Sequence, residues 1–141
     1  MAISKQNNGF SVTAYRGDAK TLLAINLSKA QTRNLAGFTI GYSADGKPPF
    51  YLQNNLKFED PSKHVHDATQ SPFSSINAPI HKFRWVHVPG SLHLDNQPLD
   101  GTYTYVVTPR YFDDSGSLMA IDKSKTMSLP VPVGHFIKGK I

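Results

Sequence analysis

His64-Val65-His66-Asp67 sets two imidazoles on one side of an extended segment, a pattern able to begin a divalent-metal site. A zinc site needs three or four ligands, so His81, His87 or His93 would have to converge on the pair. The competing reading is a pair of solvated loop histidines. Nucleophile patterns are weaker. Gly41-Tyr-Ser43-Ala-Asp-Gly46 is one residue too long for a Gly-x-Ser-x-Gly elbow, and no helix pattern follows it. Ser91 and His93 share a loop with no carboxylate fixed beside them. Glu59, the only Glu, and Asp60 are adjacent loop acids rather than a pair flanking a sugar bond. No phosphate-binding loop or dinucleotide fingerprint occurs. No catalytic residue is assigned, and no cofactor is expected.

Aromatic side chains offer a second kind of chemistry. Tyr15, Tyr51, Phe73 and Tyr111 stand where exposed rings could form a flat platform for stacking a sugar or a protein partner. Packing within the core or at its rim is the alternative for each. The net charge of +5, from 15 Lys+Arg against 10 Asp+Glu, is spread along the chain and forms no cluster, which argues against nucleic acid. No stretch approaches the roughly 18 apolar residues that span a bilayer. The polar start, Met1 to Gly9, carries no apolar signal-peptide core, so a cytoplasmic location is favoured. With 0 Cys, thiol catalysis and Cys-based metal sites are excluded.

The elements that must hold these residues follow a period of two. In Phe10–Arg16, Phe10, Val12 and Ala14 alternate with Ser11, Thr13 and Tyr15. Gly17-Asp18 is a turn, and Thr21–Leu27 alternates again. Leu35–Ser43 puts Ala36, Phe38, Ile40 and Tyr42 on one face and ends at Ala44-Asp45-Gly46. Phe50-Tyr51-Leu52 reads as a short edge strand. Phe58–Asn77 has no period, and a loop of roughly 20 residues in a compact domain is often functional or mobile. Ile80–Val88, Gly101–Phe112 and Leu118–Val133 complete seven candidate strands, the last bearing Pro130 and Pro132 as an edge strand can. The expectation is a single all-β antiparallel sandwich over residues 10–133. A flexible lead-in over 1–9 and a tail or linker over 134–141 would flank it.

Gly101-Thr-Tyr103-Thr-Tyr105 sharpens the class. A Tyr near the start of the sixth strand of immunoglobulin-like sandwiches hydrogen-bonds back onto the upstream corner. Tyr103 suits that position, with Tyr105 where a disulfide-bearing domain would hold its Cys; a fibronectin type III register would choose Tyr105 instead. Trp85 falls in the fifth candidate strand, not the third. The chain therefore resembles a cysteine-free fibronectin type III-like module more than an antibody domain.

The runs Ala14–Leu27, Asn34–Ile40, Pro79–Trp85 and Gly101–Pro109 are together similar to the N-terminal β-sandwich region found ahead of the catalytic part in some bacterial phospholipase D-like proteins. That resemblance spans about Phe10 to Lys138. It implies an accessory domain that positions a C-terminal phosphodiesterase-like region through protein contacts, in cis or with another chain. The paired His-x-Lys-x4-Asp motif of such enzymes is absent: His81-Lys82 lacks the spacing and His64-x-His66 has no Lys. No catalytic residue carries over. A free-standing module for carbohydrate or peptide, and a His-based metal-dependent hydrolase, remain as alternatives.

Overall fold

A computed structural model of the chain describes residues 2–17, 20–44, 50–61, 64, 66–88 and 101–133. Among these residues eight strands follow in order: β1 Ala2–Asn7, β2 Phe10–Arg16, β3 Thr21–Leu27, β4 Leu35–Ala44, β5 Phe50–Tyr51, β6 Arg84–His87, β7 Gly101–Tyr111 and β8 Met127–Val133. They make two antiparallel four-stranded sheets, ordered β1-β2-β3-β6 and β5-β4-β7-β8. The fold is an all-β sandwich.

Alternation decides which side chains meet between the sheets. Phe10, Val12 and Ala14 of β2 and Leu23 and Ile25 of β3 face Phe38, Ile40 and Tyr42 of β4 and Tyr103, Tyr105 and Val107 of β7. Met127, Leu129 and Val131 of β8 close the second sheet's inner face, and Trp85 packs half-buried against the same core. Phe38 stacks on Phe10 across the sheets, ring centroids 6.4 Å apart. Pro130 and Pro132 lie opposite Thr104 and Thr102 on β8, at the sheet's edge, where a missing N–H breaks no ladder.

Two expectations need correction. The lead-in over 1–9 contains a strand: β1 pairs with β2 from Ala2↔Tyr15 to Asn7↔Phe10. Its turn is Asn8-Gly9, with φ of 50° and 83°, the doubly positive geometry of a two-residue hairpin. β1 is exposed along most of its length, so ladder hydrogen bonds and Ile3 hold it rather than a buried face. Leu118–Val133 is not one strand. Leu118 makes an isolated bridge with Phe112, a 3-10 turn spans Lys123–Lys125, and β8 begins only at Met127.

Phe58–Asn77 has no named strand or helix among its described residues, in line with the expected loop. Its end is a covering layer, since Ser74, Ser75, Ile76, Asn77 and Ala78 are all buried. That layer completes the free edge of β4. The Ile40 carbonyl accepts from Leu52 N at 2.8 Å and from Ser75 Oγ, while Phe38 and Ile80 exchange two backbone bonds of 2.9 and 2.8 Å. Gly37 permits the approach: at φ +136°, a Cβ there would stand 2.6 Å from the Ile80 carbonyl oxygen. Asn77 fastens the layer with both ends of its amide. Its Oδ1 accepts from His66 N and Asp67 N, and its Nδ2 donates to the Asp67 and Ser71 carbonyls.

Candidate functional site

His64 and His66 are brought together, but as a clamp on one residue. The His64 Nδ1 accepts from Leu118 N at 3.2 Å, and the His66 Nε2–H donates to the Leu118 carbonyl at 2.7 Å. Phe58 stacks on the His64 ring at 4.0 Å between centroids, and Phe112 approaches it edge-on. Burial holds the His66 imidazole below its ordinary pKa of 6.5. Of the other expected ligands, His81 Nδ1 donates to the Ala36 carbonyl and His87 is inside the sandwich. His93 and Ser91 lie outside the described residues. Among the described residues no group of three or more His, Asp or Glu is placed to hold a metal.

His87 forms a polar bridge through the core. It sits on β6 in the first sheet, and its Nδ1 is 2.7 Å from the Tyr105 hydroxyl on β7 in the second. Tyr42 and Tyr103 pack around the imidazole, with ring centroids at 4.3 and 6.3 Å. Desolvation raises the Tyr42 hydroxyl pKa to about 12 and raises that of Tyr105 as well. Tyr105 thus spends its hydroxyl across the sandwich rather than on an upstream corner. The corner expected for Tyr103 would be formed with residues upstream of Gly101, and 89–100 lie outside the described residues.

The expected aromatic residues do not gather on one surface. Tyr15 is 49% exposed on the outer face of the first sheet, opposite Leu22 on β3. Phe73 is exposed in the segment before the buried layer. Tyr111, at the end of β7, donates its hydroxyl to the Gln31 carbonyl and carries Lys125 Nζ 4.6 Å from its ring centre. Tyr51 has a different setting. It is on β5, paired with Gly41, and its ring atoms stand 3.6 and 3.7 Å from where a Gly41 Cβ would be.

That Tyr51–Gly41 contact is one wall of a groove of about 270 Å³ on the outer face of the second sheet. Thr39, Tyr42 and Ser43 of β4, Val106 and Thr108 of β7, and Ile121, Lys123 and Thr126 ahead of β8 also line it. The outward positions of β4 and β7 form the floor, and the missing side chain at Gly41 leaves it open. Thr108 and Thr126 share a hydroxyl–hydroxyl bond of 2.8 Å. The volume is at the small end of ligand pockets, and its few hydroxyls among apolar walls are typical of them.

Behind the groove is Arg110, which the sequence did not single out. Its side chain is 1% exposed. Nη1 donates to Thr39 Oγ1 and to the Ile76 carbonyl, both at 2.9 Å. Nη2 and Nε donate to the Met119 carbonyl at 2.8 and 3.3 Å. All of these partners are neutral, and desolvation lowers the guanidinium pKa to about 10, so the charge persists at neutral pH. Thr39 in turn donates to the Ser75 carbonyl at 2.7 Å, linking groove floor, guanidinium and covering layer. An Arg after Thr-Pro near the end of a strand pattern gives no sign of this burial, because 74–78 and Met119 impose it. Compared with protein-family models, curated proteins and solved structures, the chain finds no match.

Proposed function

We propose that the chain is a noncatalytic β-sandwich binding module that seats a small ligand in the groove over Gly41. The observation that supports this is the groove itself. An apolar hollow crosses β5, β4 and β7, walled by the Tyr51 ring and backed by a hydrogen-bonded layer. Its aliphatic hydroxyls belong to Thr39, Ser43, Thr108 and Thr126, and among the described residues no imidazole or carboxylate lines it to act as their general base. Binding, rather than turnover, is the chemistry such a lining favours. The test is a fragment screen read by amide chemical shifts. Hits that cluster on Gly41, Val106, Thr108 and Thr126 support the reading; a screen without saturable shifts there overturns it.

A second reading makes the module an accessory domain that positions a phospholipase D-like catalytic region through protein contacts. Its supports are the sequence resemblance and a cross-strand row on the outer face of the other sheet, exposed at both ends and half-buried at Leu22. That row runs from Tyr15 through Leu22 to Val86, with Val86 54% exposed. On this reading the chain alone hydrolyses no phosphodiester. Two His-x-Lys-x4-Asp motifs following residue 141 in the reading frame would support it, and their absence would remove it.

A further inference from the structure

We propose that the groove over Gly41 selects a small monocarboxylate with an apolar body, its carboxylate meeting Lys123. The inference rests on the reading of the groove as a binding site and names the ligand class. Lys123 is the one charged side chain among the described residues that line the groove. Its neighbour Asp122 is engaged elsewhere, for its carboxylate accepts from Ser124 N at 2.9 Å and Ser124 Oγ at 2.6 Å. A second positive charge, Arg110, stands one hydroxyl behind the floor through Thr39, among neutral partners that leave its charge uncompensated. Both fields have the same sign, and apolar walls strengthen them relative to open water.

Shape and donor count narrow the anion. Tyr51, Val106 and Ile121 offer apolar surface over the Gly41 gap, which suits a flat or short aliphatic body. The head group meets one flexible ammonium and scattered hydroxyls, not a guanidinium fork, since the Arg110 fork is filled by carbonyls and Thr39. A single negative charge is matched by that set; a phosphate dianion would ask for more donors. A sugar would ask for planar amide or carboxylate partners, and the described residues of the lining supply none.

The experiment titrates the isotope-labelled chain with benzoate, benzyl alcohol and phenyl phosphate. Benzoate should shift the Gly41, Val106, Thr108 and Thr126 amides saturably and bind at least about tenfold more tightly than benzyl alcohol, the scale of one charge-assisted bond. Lys123→Gln should remove that preference, and Lys123→Arg should keep most of it. Lys123 is exposed, so neither variant threatens the fold. Equal binding of benzyl alcohol and benzoate, stronger binding of phenyl phosphate, or indifference to Lys123→Gln would overturn the assignment while leaving the groove a binding site. No shift with any of the three, together with an empty fragment screen, would overturn the binding reading as well.

Discussion

Replacing Arg110 by Met removes the fork that ties the covering layer to β4 and β7 while keeping a side chain of similar reach. The carbonyls of Ile76 and Met119 then lose their donors in a buried setting. Each unsatisfied group costs about 1–3 kcal/mol, and bonds to a charged donor are worth about 1.5–3 kcal/mol apiece. Against this, the variant no longer buries a guanidinium, a penalty of several kcal/mol. The net expectation is a loss of about 2–4 kcal/mol, a large share of the roughly 5–15 kcal/mol that holds a domain. At about 2–4 °C per kcal/mol for larger domains, and somewhat more for smaller ones, the midpoint should fall by roughly 5–15 °C. Arg110→Lys should lose nearly as much, because one ammonium cannot reach both carbonyls as the planar fork does. Urea unfolding gives the stability, and hydrogen exchange should show faster exchange at the Ser75, Leu118 and Met119 amides. An Arg110→Met variant within about 0.5 kcal/mol of the parent, with those amides unchanged, would refute the fork's role.

Other outcomes follow from the same packing. Gly37→Ala should cost at least about 3 kcal/mol, because its Cβ meets the Ile80 carbonyl at 2.6 Å, whereas Gly116→Ala, at φ +83° in open space, should cost only about 1–2 kcal/mol. Paired denaturant curves would compare them, and equal losses would contradict the close approach. Tyr105→Phe leaves the ring in place but removes the 2.7 Å bond between its hydroxyl and His87 Nδ1 across the buried core, for a loss of about 1–2 kcal/mol by thermal unfolding. His66 is held below its ordinary value of 6.5, so the unfolded chain takes the proton first. Its contribution to stability is therefore present above pH 6.5 and is lost as the pH falls through the window beneath. Urea midpoints at pH 7.5 and 5 should show a step that shrinks in His66→Gln.

The strands were legible where one face is buried and the other wet. Phe10, Val12 and Ala14 against Ser11, Thr13 and Tyr15 could be assigned directly, and the burial of β2 follows that pattern. β1 has no such contrast, and its only signal was the Asn8-Gly9 turn. The layer over 74–78 was hidden because Ser74, Ser75 and Asn77 are polar yet buried: Ser75 bonds the Ile40 carbonyl on β4, and Asn77 bonds backbone groups of His66, Asp67 and Ser71 in the same irregular segment. His64 and His66 were visible as a pair, but their shared partner, Leu118, is more than 50 residues away. The groove was out of reach for the same reason. Tyr51 could be nominated, while Gly41, Thr108 and Lys123 become its neighbours only after β4, β5 and β7 align.

Gly41→Val tests the groove most directly. Its Cβ would stand at ordinary contact, 3.5 Å from the Phe50 carbonyl oxygen and 3.6 Å from the Tyr51 ring, so the fold should persist while the methyl groups fill the floor. The measurement is a benzoate and benzyl alcohol titration of parent and variant, with circular dichroism confirming that both are folded. Saturable shifts at Val106, Thr108 and Thr126 in the parent, absent from a folded Gly41→Val, are the predicted result. Undiminished binding by the folded variant, or saturable shifts that map elsewhere, would contradict it.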